Sequence, residues 1–420
     1  MKILWITNVP TPEIAEDLHM PAQNFGGWLC QLSKSFAASD TLTIMFPIEG
    51  KKENYEGSVN GLYYSSFPLI KYPSQINDAL ISSFASMIEK TSPDIIHIWG
   101  TEFLHSYVFF QACDRLGLLH RTVVYIQGLV SVYKNYYWCF LNDRSVMRPT
   151  MRDLLKKSGP YFEYKDFITR SKYEVLILNK AKNVLGRTDW DRYYTTSYNP
   201  GVKYHFCNET LRDTFYDGEW TIEKCVQHSI FLSQGNYPIK GLHQAIKAAS
   251  LLIHKYPDIQ LICTGKDRVH PTWYEKLKEN SYDRYVRHLI KRCGMANNIS
   301  FIGLLNAEQM KEQYLKANVF LSPSSIENSS NSIGEAMLLG TPVVSSDVGG
   351  IRNLMINEEE GLIYPADDVA SLAKCIDRIF SDTDFANHLS HRAKQKAAIT
   401  HNAEKNFTQL KHVYFDILEK

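Results

Sequence analysis

The sequence lacks several features that would assign the protein to a special class. Its 46 Lys and Arg nearly cancel 45 Asp and Glu, and the net charge of +1 gives no overall basic field for nucleic acid. With 22 Gly and 16 Pro in 420 residues, collagen-like, low-complexity and wholly disordered chains are excluded. No apolar run approaches the roughly 18 residues of a transmembrane helix. The length predicts about two domains.

The cysteines lack the spacing of a metal site or of a disulfide framework. All eight are scattered along the chain without a Cys-x-x-Cys pair, a distribution typical of reduced thiols in a cytosolic protein. The first residues, Met1–Asn8, contain one lysine and a four-residue apolar run. This pattern predicts a buried strand and not a signal peptide. We therefore expect a cytoplasmic protein.

Short apolar runs alternate with amphipathic stretches in both halves of the sequence. In the second half, for example, the strand-like run Ser229–Ser233 precedes a helical pattern at Gly241–Lys255. Such alternation is typical of parallel sheets covered on both faces. We predict an α/β protein with two Rossmann-like, doubly wound domains facing a cleft. Their expected ranges are 1–200 and 201–398, with a C-terminal helix at 399–420 that packs back on the first domain.

The segment Leu321–Met337 carries the most chemical information. A strand-like run ends there, small polar residues follow, and a helix begins, a combination that suits a diphosphate. Two carboxylates, Glu327 and Glu335, bracket this loop and would accept hydrogen bonds from sugar hydroxyls. Each has an alternative that stays open. Ser332 and Glu335 match a Ser-x-x-Glu capping box, and Glu327 suits a solvated loop.

The segment from Pro323 to Gly350 resembles the nucleotide-binding signature of retaining GT-B glycosyltransferases, in particular glycosyltransferase family four. The matching residues are Pro323, Ser324, Glu327, Glu335, Ala336, Met337, Gly340, Pro342, Val343, Val344, Gly349 and Gly350. The resemblance implies a GT-B fold and a nucleotide-diphosphate sugar as co-substrate, with no metal and no other cofactor. It also implies that Glu335 binds the donor ribose and that Glu327 lies near the transferred sugar. The backbone of Ser329, Ser330 and Asn331 would hold the diphosphate.

A second turn resembles the family less completely. Lys240-Gly241 matches a Lys-Gly pair whose basic side chain meets the diphosphate, whereas Gly235 stands where the family has an arginine. Arg187 is a candidate to compensate for the missing cation, and Asn236 is a further candidate donor contact. The alternative for Lys240 alone is a solvated lysine at a helix start.

Gly26 and Gly27 resemble the family's glycine-rich first loop, which closes over the donor phosphate. A glycine pair before a helix is explained equally well by ordinary turn chemistry. The two glycines are therefore predicted donor-binding residues with a structural alternative.

A strand end in the first half resembles the family's residues near the reacting centre. His97 matches a family histidine and is a predicted catalytic residue, while Trp99 replaces a second histidine. Gln127 stands at another histidine position and keeps hydrogen bonding without acting as a base. The alternative for His97 is a satisfied core residue, in which case Glu102 and His105 take the polar role.

Residues 133–172 combine aromatic rings with a basic stretch. Tyr133–Phe140 contains five aromatic residues, and between 144 and 172 eight cations face three carboxylates. This composition suits an anionic membrane surface and a lipid-linked acceptor. A solvated basic face on an insertion in the acceptor domain is the alternative.

Together these features predict a retaining hexosyltransferase in bacterial polysaccharide or glycan assembly. It would move a sugar from a nucleotide sugar to a saccharide or lipid-linked acceptor, in the cytoplasm or peripherally at the inner membrane face, without nucleic acid as a partner. Lys240 and the loop amides would stabilise the leaving diphosphate, and Glu327 would orient the sugar. Two alternatives stay open: a nucleotide-sugar epimerase on the same fold, and a non-catalytic nucleotide-sugar-binding paralogue, which Gly235 favours.

Overall fold

The computed structural model of the protein describes residues 1–20, 28–50, 54–141 and 143–419. Over these residues the chain divides into two compact units, each with its own sheet. The first unit comprises Met1–Val132, Ile168–Arg212 and His401–Lys420, and the second comprises Tyr133–Phe167 and Asp213–Thr400. The predicted donor loops Gly235–Gly241 and Pro323–Gly350 belong to the second unit, whereas Gly26 and Gly27 lie outside the described residues.

The strands and helices alternate along most of the chain. The strands are β1 (Lys2–Ile6), β2 (Thr41–Ile48), β3 (Glu56–Val59), β4 (Leu62–Pro68), β5 (Ile95–Trp99), β6 (Thr122–Tyr125), β7 (Asn183–Gly186), β8 (Lys203–Phe206), β9 (Val226–Leu232), β10 (Gln260–Cys263), β11 (Ile299–Phe301), β12 (Ala317–Ser322), β13 (Val343–Ser346) and β14 (Leu362–Tyr364). The helices are α1 (Pro12–Asp17), α2 (Trp28–Ser39), α3 (Asp78–Thr91), α4 (Leu104–Arg115), α5 (Val130–Tyr133), α6 (Met151–Lys156), α7 (Pro160–Lys180), α8 (Asp189–Tyr198), α9 (Leu242–Leu252), α10 (Trp273–Leu277), α11 (Ser281–Arg292), α12 (Ala307–Lys316), α13 (Asn331–Leu339), α14 (Ile351–Leu354), α15 (Val369–Ser381), α16 (Thr383–Thr400) and α17 (Ala403–Leu418).

The sheet of the first unit has the strand order β3-β4-β2-β1-β5-β6-β7-β8. All its pairs are parallel except the antiparallel pair of β3 with β4. The last helix, α17, belongs to this unit, where Tyr414 is fully buried and its hydroxyl accepts a hydrogen bond from Trp5 Nε1 (3.0 Å). The helix therefore covers the middle of the sheet.

The sheet of the second unit is parallel throughout, with the order β11-β10-β9-β12-β13-β14. This is the order of a doubly wound fold, and the direction of strand addition reverses between β9 and β12. Every residue of β12 is buried, because a central parallel strand is covered on both faces. The predicted α/β class with two doubly wound sheets is confirmed.

Residues 133–167 lie within the predicted range of the first domain but pack in the second unit. Tyr137 is 1% exposed and donates to Glu163 (2.7 Å). Farther along, the carboxylate of Asp153 accepts a hydrogen bond from the amide of Ser281 (3.1 Å). The alternation of strands and helices in the sequence does not predict this assignment, because it does not indicate against which sheet an inserted helical segment packs.

None of the helices in the described parts of the chain is long and apolar enough to cross a membrane. All eight cysteines are free thiols. Burial raises the pKa of Cys113 and Cys263 to about 12 each, so these two thiols are protonated and behave as small core residues.

Candidate active site

Two loops of the second unit meet where the strand order of its sheet reverses. One follows β9 and enters α9 through a 3₁₀ turn at Pro238–Lys240, and the other follows β12 and enters α13. The amide of Ser325 donates to the carbonyl of Ile239 (2.8 Å), so the loops are bonded to each other. Ligands of doubly wound sheets bind at this position, at the carboxyl ends of the strands.

Gly241 permits the close approach of the two loops. Its φ is +70°, and a Cβ atom at this position would lie 1.9 Å from the carbonyl oxygen of Pro323. A side chain would have to push the loops apart, so the glycine is required for steric as well as conformational reasons. The Lys-Gly pair predicted from the sequence therefore lies directly against the Pro323 loop.

Lys240 and Glu327 form an ion pair across the junction of the loops. Lys240 Nζ donates to Glu327 Oε1, which also accepts from Ser324 Oγ (2.8 Å). Burial by itself lowers the pKa of Lys240, but the Glu327 carboxylate and Tyr237 outweigh it and raise the pKa above its usual range. Lys240 is therefore an ammonium ion, and the structure brings two of the three predicted catalytic residues into contact.

The turn at Gly349 and Gly350 holds the backbone of Glu327. The Gly350 amide donates to the Glu327 carbonyl (3.1 Å). Gly349 has a φ of +52°, and a Cβ atom there would lie 1.8 Å from the same oxygen. The Gly-Gly turn of the sequence signature thus fixes the position of one carboxylate.

The aromatic cluster Tyr133–Phe140 supports the Pro323 loop from its other side. The Tyr133 hydroxyl accepts from the Asn328 amide (2.8 Å), and the Tyr136 carbonyl accepts from Ser325 Oγ (2.9 Å). None of the four described tyrosines and tryptophans of this cluster is exposed to solvent over more than about a third of its surface. These rings therefore pack largely within the second unit, and contact of residues 133–172 with a membrane stays a prediction.

A small polar cavity lies between the two loops and the start of α13. Its volume is about 20 Å³, and its lining includes Lys240, Glu327, Ser330, Ser332 and Ser233. Helix α13 begins at Asn331, with Ser330 as the N-cap. The partial positive charge of the helix N-terminus is therefore added to the ammonium group of Lys240. Of the predicted loop residues 329–331, Ser330 lines this cavity, and the anion site predicted there stays a prediction.

Glu335 lies one turn into α13 and is 4% exposed. Its Oε2 accepts a hydrogen bond from the hydroxyl of Tyr314 (3.2 Å). The capping box with Ser332 is not formed, because the helix starts at Asn331 and Ser332 already lies inside it. The capping alternative for Glu335 is therefore wrong, and Tyr314 is a partner that the sequence pattern did not indicate.

The packing around Gly235 explains why the family arginine is missing. A Cβ atom at Gly235 would lie 2.7 Å from Cys263 Sγ and 2.9 Å from Leu242 Cδ2. A long side chain does not fit this packing. Arg268 reaches the same turn from the loop after β10, and its Nη2 donates to Asn236 Oδ1 (3.3 Å). Its Nε donates to Asp283 (2.9 Å), so its charge is already paired.

Arg187 lies in the first unit and is paired there. Its guanidinium donates to Glu209, and both side chains are 5% exposed. The other carboxylate oxygen of Glu209 accepts from the hydroxyl of Tyr125 (2.8 Å). This buried ion pair gives Arg187 a structural role that the hypothesis of a compensating phosphate cation did not foresee.

His97 is fully buried in β5 of the first unit. Its Nδ1 lies 2.5 Å from the hydroxyl of Tyr414, and its ring stacks on Trp99 at 3.9 Å between centroids. Burial lowers the pKa of His97 well below its ordinary value, so the imidazole is neutral. These surroundings favour the core alternative for His97 over a catalytic role.

Glu102, just beyond the carboxyl end of β5, is the alternative to His97 for the polar role. A Cβ atom at Gly100 would lie 2.6 Å from Glu102 Oε2, so the carboxyl group folds back over the strand end. Burial, reinforced by the charge of Glu174, raises the pKa of Glu102 to about 8. His105, which is also buried, has its pKa lowered to about 3 and stays neutral. Gln127 follows β6 and is partly buried.

The fold of the whole chain is that of the GT-B glycosyltransferases. Sucrose-phosphate synthase from Thermosynechococcus elongatus is 17% identical, with a TM-score of 0.67 over 99% of both chains. The Anabaena protein HepE, in a complex with UDP-glucose, is 15% identical, with a TM-score of 0.68 over 99% of both chains. At such identities the likeness shows the fold alone.

Part of the second unit is similar in sequence to a known family. Residues 224–396, which are less than half of the chain, match the family described as Glycosyl transferases group 1. A putative glycosyltransferase of Bacillus subtilis, YtcC, is 28% identical over 187 residues, which are 43% of this chain and 43% of that relative. The match thus spans less than half the length of this curated relative. The family match at 224–396 includes both loops of the site.

Proposed function

We propose that the protein is a retaining glycosyltransferase that moves a hexose from a nucleotide-diphosphate sugar to a saccharide or lipid-linked acceptor. The observation that carries this proposal is the contact of Lys240 with Glu327 beside the N-terminus of α13. A cation, a helix N-terminus and a fixed carboxylate then lie at one switch point. They suit a diphosphate joined to a sugar.

The chemistry requires stabilisation of charge on the leaving group. The bond between the anomeric carbon and the diphosphate oxygen breaks, and its electron pair stays on the diphosphate. The acceptor hydroxyl bonds to the same carbon and loses its proton. Lys240 and the start of α13 stabilise the diphosphate, whose negative charge increases in the transition state. When the diphosphate binds, Lys240 turns from Glu327 toward the phosphates.

The two carboxylates of the site have different roles in this proposal. Glu327, held by Ser324 and by the Gly-Gly turn, orients the transferred sugar. Glu335, held by Tyr314, accepts hydrogen bonds from the ribose hydroxyls. The likeness to HepE makes UDP-glucose the first donor to test.

The setting of the reaction is also part of the proposal. We place the protein in the cytoplasm in bacterial polysaccharide or glycan assembly, with peripheral membrane contact through residues 133–172. At the end of β5, Glu102 would take the polar role in place of His97, and because its raised pKa keeps the carboxyl mostly protonated near neutral pH, it would act as a hydrogen-bond donor. No metal takes part, so turnover measured with a chelating agent should equal turnover measured with added Mg²⁺.

A non-catalytic nucleotide-sugar-binding protein is the second candidate, because Gly235 leaves no room for the family arginine. Incubation with radiolabelled nucleotide sugars and a membrane extract distinguishes the candidates. Release of nucleotide together with labelled glycan or lipid supports transfer, and release of nucleotide with an epimerised sugar supports an epimerase. Binding of donors without turnover on any acceptor would support the non-catalytic candidate and reject transfer.

A further inference from the structure

An apolar surface of the second unit is exposed to solvent. It consists of Met151, Leu154 and Leu155 on α6 and Trp273, Tyr274 and Leu277 on α10, which we call the α6–α10 patch. These side chains are between 50% and 80% exposed. Single exposed apolar residues are normal on protein surfaces, but a group of six that includes a tryptophan 75% exposed marks an interaction site.

Helix α6 is hydrogen-bonded to the segment that follows α10. The hydroxyl of Thr150, the N-cap of α6, donates to the carbonyl of Glu279, two residues after the end of α10 (3.2 Å). The Ser281 amide donates to Asp153 of α6 (3.1 Å). Residues far apart in the sequence are therefore brought near one another on the second unit.

Helix α10 makes no contribution to the core of the second unit. None of its residues is buried. It is held by a capping box, in which Thr272 Oγ1 accepts from the Glu275 amide (3.3 Å) and Glu275 accepts from the Thr272 amide (2.8 Å). A helix that is locally stable and presents Trp, Tyr and Leu to solvent suits an external partner.

The charges around the patch are mostly positive. The exposed cations beside its apolar residues are Lys156, Lys157, Lys276 and Lys278. Of the nearby carboxylates, Asp153 is buried under the two helices, and Glu279 is paired with Arg287 (2.7 Å). Glu275 is exposed but is used in the capping box. An anionic partner is therefore favoured, whereas a second copy of this surface would be repelled.

We propose that the α6–α10 patch binds the surface of an anionic lipid bilayer. Leu and Met side chains would enter the acyl boundary, the Trp and Tyr rings would lie at the headgroup level, and the lysines would contact lipid phosphates. The inference rests on the membrane contact proposed above. It goes further in two ways. The membrane-binding residues of this stretch are those of α6 and not the aromatic cluster Tyr133–Phe140. Helix α10, which lies outside residues 133–172, also contributes to the surface.

Co-sedimentation of the full chain with vesicles tests this proposal. Vesicles of phosphatidylcholine containing roughly one third phosphatidylglycerol should bind the protein, and pure phosphatidylcholine should bind it several-fold less. Trp273→Ser/Leu277→Ser should lower binding to the anionic vesicles about tenfold or more, and Leu155→Ser should lower it by a smaller factor. Lys276→Gln/Lys278→Gln should lower binding to the anionic vesicles and leave binding to the neutral ones unchanged.

A matched control is Leu251→Ser on α9, because Leu251 is 58% exposed and lies outside the patch. This variant should bind vesicles like the original protein. Equal binding by the α10 variants and the original protein would overturn the proposal, as would equal binding to neutral and anionic vesicles. A concentration-dependent dimer that the Trp273→Ser/Leu277→Ser variant loses would also overturn it, since a second copy would then cover the patch.

Failure of this proposal is separable from failure of the proposed function. Vesicle binding needs neither a nucleotide sugar nor turnover, and donor binding is measured without vesicles. Because no residue of α10 is buried, its variants should keep the melting temperature and donor affinity of the original protein. Loss of vesicle binding together with unchanged donor affinity is the expected result.

Discussion

At the scale of single residues, the two carboxylates of the site differ in their partners. Glu327 contacts the ammonium group of Lys240, whereas Glu335 accepts from the neutral hydroxyl of Tyr314. Glu327 is therefore already part of an ion pair. A bound diphosphate would disrupt this pair by attracting Lys240. Because their partners differ, substitutions of Glu327 and Glu335 should have different effects on donor binding and on turnover.

Glu335→Gln should weaken donor binding about tenfold or more, because hydrogen bonds to a charged acceptor contribute about 1.5–3 kcal/mol. Its effect on turnover at saturating donor should be smaller. Isothermal titration with the donor measures the first quantity, and Glu312→Gln, an exposed carboxylate on α12 paired with Lys316, is the control. Unchanged donor affinity in Glu335→Gln would contradict the assignment of this residue to the ribose.

Glu102 predicts a pH dependence of stability. Its pKa is about 8 in the folded protein, above the ordinary value of 4.5, so the folded state binds this proton more tightly than the unfolded chain does. The contribution of Glu102 to stability is therefore fully present below about pH 4.5 and is lost as the pH rises toward about 8.

The side chain of Glu102→Gln cannot ionise, so the variant keeps at every pH the stability that the protonated Glu102 gives. Its melting temperature should match that of the original protein at about pH 4 and exceed it at about pH 9, by about 2–4 °C for each kcal/mol. Because all other groups titrate in both proteins, the difference isolates Glu102. A difference that does not change with pH would show that the Glu102 carboxyl is not held protonated.

At the scale of elements, the site depends on glycines that let loops touch. Gly241 and Gly294 both have a positive φ, +70° and +67°. Of these two glycines, only Gly241 lies so close to another backbone atom that a Cβ would collide with it. Nothing lies within 4 Å of the Cβ position of Gly294. Substitutions at the two positions therefore distinguish two contributions to the free energy of unfolding: the cost of a left-handed conformation and the cost of a steric clash.

Gly294→Ala should lower the free energy of unfolding by about 1–2 kcal/mol, the cost of a left-handed conformation for a residue with a Cβ. Gly241→Ala should lower it by more than that and should also weaken donor binding, because Pro323 must move. Thermal or urea unfolding of both variants measures the difference. Equal losses in the two variants would mean that the loops separate without cost.

Elements also show how far the sequence alone predicts the structure. The strands around the site follow from apolar runs such as that of β12, since a central parallel strand is buried on both faces. The turn signature correctly located the loop that contains Glu327. The supporting contacts of Tyr133 and Tyr136 could not be predicted, because a hydrogen bond to a loop 195 residues away leaves no local pattern.

At the scale of the whole molecule, composition and alternation were sufficient for the class of fold. They could not assign residues 133–167 to the second unit, because that depends on contacts such as Thr150 with Glu279. They also could not explain Gly235, whose reason is the space taken by Cys263 and Leu242. Long-range packing thus decides the details in which the site differs from the sequence signature that it resembles.

The central claim is that the loop junction of the second unit binds the diphosphate of a nucleotide sugar through Lys240. The most direct measurement is the affinity of the full chain for UDP, GDP and ADP and for their monophosphates, in the original protein and in Lys240→Met. Lys240→Met/Glu327→Gln removes both charges and controls for an unpaired carboxylate. Lys247→Met, on the following helix α9, controls for the loss of a cation outside the loop junction.

The account predicts that one nucleoside diphosphate binds about tenfold or more tightly than its monophosphate, since a charge-assisted phosphate contact contributes about 1.5–3 kcal/mol. This preference should disappear in both Lys240 variants and remain in Lys247→Met. If no diphosphate is preferred, or if the preference survives without Lys240, the site is not a diphosphate site and the account is contradicted.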